Sequence, residues 1–262
     1  MKKSVLYFLL IGFVLCAFTA CFQNENIATN NNNSQEPAAA NAQAPVAQPG
    51  DTNAVNAAPA ANAAPAVKED AAPKRDDAAF AKLLNPAGLN ETAPAQFNVI
   101  AKTTKGNVKI ELHRDWSPQG VDRFYNLVKS GYFTDIAMFR MVRGFVVQFG
   151  IHGSPLVSDA WIDATIPDEP VQQTNAKGTI TFAKGGPNSR TTQLFINLAD
   201  NGRLDQMGFP PIGKIVEGMD VIESLNFEYA ERPNQGMIHK KGNEYLKSQF
   251  PNLDYIISMS LE

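Results

Sequence analysis

Residues 22–78 limit what this chain can fold into more than any other feature, because they cannot build a hydrophobic core. The segment is low in complexity, rich in Asn, Ala, Gln and Pro, and holds few aromatic or large aliphatic residues. Burial of such side chains cannot offset the entropy lost when the backbone is ordered. We therefore predict a disordered N-terminal tether over residues 22–78. A packed Ala-rich helix is the alternative, and the repeated prolines oppose it.

The segment before the tether, residues 1–21, has the pattern of an export signal. Lys2 and Lys3 give it a basic start, and the apolar run Val5–Val14 is too short for a stable membrane-spanning helix. Small residues stand just before Cys21, which resembles the signal of a bacterial lipoprotein. The resemblance implies a lipid anchor on Cys21 and a protein held at the cell envelope, facing the periplasm or the exterior. An ordinary secretory signal, with Cys21 incidental, is the alternative.

Composition excludes several classes of function for the remaining chain. The only two cysteines are Cys16 and Cys21, so the folded part has no disulfide, cysteine metal ligand or thiol nucleophile. His113, His152 and His239 lie far apart without ligand spacing, so no metal site is expected. The net charge of -3 and the absence of a basic stripe give no support to nucleic-acid binding.

Residues 79–262 are predicted to form one domain. Segments that alternate with period two, or that are β-branched and aromatic, predict eight strands. These strands are Phe97–Thr103, Val108–Leu112, Met138–Val142, Phe145–Phe149, Thr179–Ala183, Leu194–Leu198, Ile212–Val216 and Tyr255–Leu261. Strands and helices never alternate as βαβ units, which favours a mainly β fold in the form of a closed antiparallel barrel with capping helices.

Helical patterns occur at three places between these strands. One begins at Ser117-Pro118, with Ser as the cap and Pro at the first helical position, and the others cover Met219–Leu225 and Gly242–Phe250. The stretch Ile151–Asn175 is predicted to be irregular and to run over the surface. The adjacent Asp168-Glu169 within it is interpreted as a solvated pair of carboxylates.

Two short stretches carry the functional information. Met138–Gly150 reads MFRMVRGFVVQFG, and Thr181–Ile196 reads TFAKGGPNSRTTQLFI. Together they resemble the two active-site strands of the cyclophilins, which are peptidyl-prolyl cis-trans isomerases built on a small β-barrel. The resemblance covers about residues 96–261 and implies a mainly β domain, a closed eight-stranded antiparallel barrel capped by two helices. It implies an isomerase that acts on proline-containing unfolded or extended polypeptides and needs no cofactor.

The resemblance also implies roles for individual residues. Arg140 matches the arginine that bonds the imide nitrogen of the substrate, Phe145 walls the slot for the proline ring, and Gln148 holds the substrate backbone. The substrate-contacting positions as a whole are Phe145, Val146, Gln148, Ala183, Lys184, Gln193, Phe195, Leu204 and Phe209.

An arginine suits the chemistry of this reaction. Rotation about an X–Pro bond breaks amide resonance against a barrier of about 20 kcal/mol. A catalyst needs an apolar grip on the proline ring and a donor placed where the imide nitrogen becomes pyramidal, so that the hydrogen bond strengthens only in the transition state. Arg140 is always charged and offers a planar set of donors.

Several positions depart from the family pattern. Val146 stands where a Met is usual, Lys184 replaces an Asn, Arg203 replaces a Trp, and no His lies in Gln206–Pro211.

From the resemblance and the export signal we predict an isomerase that assists the folding of exported proteins and that is monomeric by default. The alternative is a catalytically weak proline-peptide-binding or chaperone module, and a purely structural envelope lipoprotein is the third possibility.

Overall fold

The computed structural model of the protein describes residues 77–262. The predicted signal, and the predicted tether up to residue 76, lie outside the described residues. The first described element is the helix α1 (Asp77–Leu83). Between residues 77 and 262 no helix is both long enough and apolar enough to cross a membrane.

Nine antiparallel strands form a single sheet in the described part of the chain. They are β1 (Gln96–Thr103), β2 (Gly106–His113), β3 (Ile136–Ala137), β4 (Arg140–Val142), β5 (Val146–Phe149), β6 (Thr179–Phe182), β7 (Leu194–Asn197), β8 (Pro211–Glu217) and β9 (Tyr255–Leu261). Their order across the sheet is β3-β9-β1-β2-β8-β6-β7-β5-β4. The mainly β prediction is confirmed, and eight of these strands lie where the alternation placed them.

The prediction of a closed eight-stranded barrel is wrong, because the sheet has nine strands and its two edges do not pair. The edge strands β3 and β4 are separated in the chain only by Met138 and Phe139. Three Cα–Cα steps span at most about 11 Å, so the sheet must curl until its edges nearly meet. Both intervening side chains are buried in the core, each 1% exposed. Two consecutive buried side chains break the alternation of a strand, so the strand predicted over Met138–Val142 is shortened to β4, Arg140–Val142.

The described residues contain six α-helices rather than the two that were predicted to cap the barrel. Besides α1 they are α2 (Pro118–Lys129), α3 (Pro155–Trp161), α4 (Arg203–Gln206), α5 (Met219–Glu223) and α6 (Gln235–Gln249), and a 3-10 turn covers Pro86–Gly88. Helix α3 lies inside the stretch predicted to be irregular. The predicted helix at Gly242–Phe250 is the second half of α6, which breaks at Gly242 (φ 57, ψ -142).

The main core lies between the sheet and α2. Val121, Phe124, Leu127 and Val128 recur at helical spacing and are buried against strand residues. Pro118 occupies the first turn of α2, where its missing N–H is not needed. This packing fixes α2 against the sheet.

The interpretation of Asp168 and Glu169 as a solvated pair is wrong. Glu169 caps α2, since its carboxylate accepts the backbone N–H groups of Gln119 at 2.8 Å and Gly120 at 3.1 Å. It also accepts the hydroxyl of Ser117, so the predicted cap residue bonds the carboxylate rather than the helix itself.

A second contact of Glu169 is buried. Its Oε2 lies 2.9 Å from Nη2 of Arg190, and the guanidinium side chain is 0% exposed. Asp168 pairs with the Nζ of Lys184 at 3.0 Å. The buried charge of Arg190 must be neutralised, so the segment that carries Glu169 packs against α2 instead of remaining in solvent.

Candidate active site

An open cavity of about 480 Å³ lies at the end of the sheet formed by β4–β7. All ten residues predicted to contact substrate line it: Arg140, Phe145, Val146, Gln148, Ala183, Lys184, Gln193, Phe195, Leu204 and Phe209. The cavity also includes residues that sequence reasoning did not single out, namely Gly185, Ser189, Thr191, Met207 and Gln235. Residues distant in sequence therefore meet in one depression.

Strand register brings the two sequence stretches together. Arg140 on β4 lies opposite Gln148 on β5, and Gln148 lies opposite Phe195 on β7. Val146 and Gln148 are two residues apart on β5 and share a face. Gly144, with a φ of 68°, makes the turn between β4 and β5 and lets Phe145 return to the same side.

The floor of the cavity is a small apolar cluster. Val146, Phe195 and Leu204 are buried together, and this cluster is separate from the main core. Phe145, Ala183 and Phe209 pack partly buried around it. The rings of Phe195 and Phe209 meet edge to face with centroids 5.9 Å apart. Because this apolar cluster opens to solvent, an apolar ring of a ligand can bind there and be removed from water.

A row of polar groups forms one wall above this floor. Nη1 of Arg140 donates to Oε1 of Gln148 at 3.3 Å, and Nε2 of Gln148 donates to Oε1 of Gln193 at 2.9 Å. The guanidinium carbon of Arg140 lies 5.7 Å from the centre of the Phe145 ring. Donors and acceptors suited to an extended peptide backbone therefore stand beside the apolar floor.

Two other cations border the cavity at positions that depart from the family pattern. The Nζ of Lys184 lies 5.3 Å from the ring centre of Phe209, and the guanidinium of Arg203 lies 4.9 Å from that of Phe145. Lys184 also bonds Asp168. Burial acts to raise the pKa of Asp168, but the hydrogen bonds from Lys184 and the backbone N–H of Asn188, together with the charges of Lys184 and Arg190, outweigh it, so the pKa lies below its ordinary value.

Sequence reasoning missed one acidic partner of the site. Oε1 of Glu231 accepts from Nε of Arg140 at 2.7 Å and lies 2.6 Å from its Nη2. Glu231 is 91 residues from Arg140 in the chain and belongs to no motif. No signal in the sequence could have placed it there, because the contact depends on how a connecting segment docks against β4.

Comparison with known proteins identifies related chains. A family model described as "Cyclophilin type peptidyl-prolyl cis-trans isomerase/CLD" matches residues 98–241. Peptidyl-prolyl cis-trans isomerase A of Dickeya dadantii is 31% identical over 139 residues, which cover 51% of this chain and 73% of that protein. A peptidyl-prolyl cis-trans isomerase of Acinetobacter baylyi is 30% identical over 145 residues, covering 53% of this chain and 77% of that protein.

Among solved structures, a cyclophilin type isomerase of Cryptosporidium parvum is similar to this chain. The alignment has a TM-score of 0.48 and 20% identity, and it covers 64% of this chain and 98% of that chain.

Proposed function

Because the chain belongs to the cyclophilin-type peptidyl-prolyl cis-trans isomerases, we propose that it accelerates the folding of exported proteins at the cell envelope. The family makes the protein an isomerase of X–Pro bonds in polypeptides. The observation that carries the proposal for the site is the guanidinium of Arg140 beside an open apolar cluster.

The proposed reaction needs only binding and a directed hydrogen bond. The proline ring enters the cluster of Val146, Phe195 and Leu204, where its burial is favourable. Gln148 and Gln193 hold the substrate backbone on one side of the imide bond. Arg140 donates to the imide nitrogen as it loses planarity, which lowers the barrier selectively because the ground-state nitrogen is a poor acceptor.

The N-terminal sequence supports the proposed location. A lipid on Cys21 would hold the protein at the membrane surface, outside the cytoplasm. The tether of residues 22–78 would average about 40 Å from end to end as a flexible coil, so the isomerase domain could reach chains that emerge from the membrane. Newly exported chains contain prolines whose isomerisation takes tens of seconds without a catalyst.

The lipid anchor can be tested by substitution of the two cysteines. Cys21→Ser is expected to move the protein from the membrane fraction to the soluble extracytoplasmic fraction and to abolish labelling with a radioactive fatty acid. Cys16→Ser is the matched control, because this residue lies in the part that processing removes, and it should keep both properties. A wild-type protein that carries no label, or a Cys21→Ser variant that carries it unchanged, would contradict the anchor.

A second candidate is a weakly catalytic module that binds proline-containing segments. It is favoured by two departures from the family pattern, namely Arg203 in place of a Trp and the absence of a His in Gln206–Pro211. Peptide titration and an isomerisation assay on the same sample separate the two functions. A binding module would show affinity for an X–Pro peptide without acceleration of its isomerisation.

The proposed proline slot makes a prediction about Leu204. Leu204→Ala removes one wall of the apolar cluster, and the lost contact with the proline ring is expected to raise KM for an X–Pro peptide about tenfold. Leu112→Ala is the matched control, since Leu112 is fully buried in the main core on β2. It should lower the free energy of unfolding by about 2–5 kcal/mol and leave KM within about twofold. Equal values of KM for Leu204→Ala and the wild type would remove Leu204 from the slot.

A further inference from the structure

The segment of residues 226–234, between α5 and α6, covers the free edge of β4. Strand β4 pairs with β5 along one edge only. On the other edge the N–H of Met141 donates to the carbonyl of Ala230 at 3.0 Å. The next residue is Glu231, which therefore lies beside Arg140, the neighbour of Met141 on β4. The backbone hydrogen bond between Met141 and Ala230 therefore brings the two charged side chains into contact.

This segment is held firmly at several points. Phe227 and Tyr229 are buried in the main core. The N–H of Asn226 donates to Oδ2 of Asp254 at 2.7 Å, and Asn234 caps α6 by accepting the N–H of Met237 at 3.0 Å. An anchored backbone limits where the side chain of Glu231 can reach, although that side chain is itself 60% exposed.

The backbone at Ala230 supports the same conclusion. Its φ of 49° lies in the left-handed region, which is unfavourable for a residue with a Cβ. Such a conformation persists only where the surrounding contacts determine it. Here those contacts include the hydrogen bond to Met141, which sets the chain direction at Glu231.

Glu231 and Gln148 bond opposite parts of the same guanidinium. Glu231 accepts from Nε and contacts Nη2, while Gln148 accepts from Nη1. Arg140 has five N–H donors, and these contacts use three of them, which leaves two for a substrate. Glu231 is not among the residues that line the cavity, whereas Arg140 and Gln148 are. The carboxylate therefore approaches from outside the slot and does not block it.

We propose that Glu231 is a positioning residue that holds the guanidinium of Arg140 in the orientation required for catalysis. The inference rests on the proposed role of Arg140 in isomerisation. A long flexible side chain loses rotamer freedom when it must donate in one geometry, and the contact with Glu231 removes that freedom before substrate arrives. The benefit appears only where Arg140 interacts more strongly with the transition state, so it acts on kcat rather than on KM.

The test uses the full-length protein and an X–Pro peptide whose isomerisation is followed by stopped-flow at several substrate concentrations. Glu231→Ala is expected to lower kcat about tenfold and to leave KM within about twofold. Glu231→Gln keeps an acceptor oxygen and is expected to recover part of the loss. Glu223→Ala removes a similarly exposed carboxylate that pairs with Lys177 at 2.6 Å, and it should match the wild type.

A double-variant cycle separates this inference from the proposed function. If Glu231 acts through Arg140, then Glu231→Ala has no further effect in a chain that already carries Arg140→Ala. An unchanged or increased kcat in Glu231→Ala, or a full additional loss in the double variant, overturns the positioning role. If Arg140→Ala itself keeps full activity, the proposed mechanism fails as well, whatever Glu231 does.

Discussion

Arg140→Ala is expected to lower kcat/KM for an X–Pro peptide by about 100- to 1000-fold, which is the loss typical of one preorganised donor in an active site. The guanidinium donates to Gln148, and it borders the apolar floor through Phe145. Binding should change less than kcat, because the proline ring still enters the cluster. A protease-coupled or proline-limited refolding assay measures the effect.

Two variants serve as controls for this result. Arg140→Lys keeps the charge but loses the planar set of donors, so its activity should fall between those of the wild type and Arg140→Ala. Arg114→Ala removes an arginine that makes the same kind of paired contact with Asp122, at 2.8 Å and 2.9 Å, outside the cavity. It should keep activity within about twofold. Full activity of Arg140→Ala would refute the proposed mechanism.

Glu169→Ala is expected to lower the free energy of unfolding by about 3–5 kcal/mol, because it leaves the buried charge of Arg190 without its carboxylate partner and removes the cap of α2. The wild-type contribution depends on pH. Burial acts to raise the pKa of Glu169, but the hydrogen bonds from Ser117, the Gln119 N–H and Arg190 prevail and hold it below its ordinary value. The folded state then binds fewer protons than the unfolded state, so this stabilisation is full above the ordinary pKa, near 4.5, and is lost as the pH falls through the folded value.

Urea unfolding of the wild type and the variant at pH 7 and near pH 3 measures both effects. The variant should be less stable at pH 7 and should lose less stability on acidification. Glu91→Ala is the matched control, since its carboxylate pairs with Lys129 at 2.6 Å on the surface and is 56% exposed. It should cost at most about 1 kcal/mol. A Glu169→Ala variant as stable as Glu91→Ala would contradict a structural role for the buried pair.

The parts of the fold that sequence predicted well depend on local pattern. Alternation of side chains located strands such as β9, whose bounds Tyr255–Leu261 agree with the prediction. Motif resemblance selected ten residues, and the structure brings all ten into one cavity. Their roles in catalysis remain predictions. Local pattern failed at Met138 and Phe139, whose adjacent side chains are both buried, so that the strand predicted over Met138–Val142 begins only at Arg140.

The tertiary structure alone decided the contacts between charges that are distant in the chain. Asp168-Glu169 reads as a solvated pair in sequence, yet Glu169 lies against the fully buried Arg190.

The sequence by itself therefore determined where eight of the strands lie and which residues line the cavity, because period and motif are local properties. That residues 22–78 form a tether stays a prediction from composition, since residues 22–76 lie outside the described part of the chain. Only the folded arrangement decided that the sheet stays open and that Glu231 meets Arg140. An ion pair between residues far apart in the chain leaves no periodic pattern in the sequence. It arises when one whole segment docks against another, and the spacing of residues within either segment does not encode it.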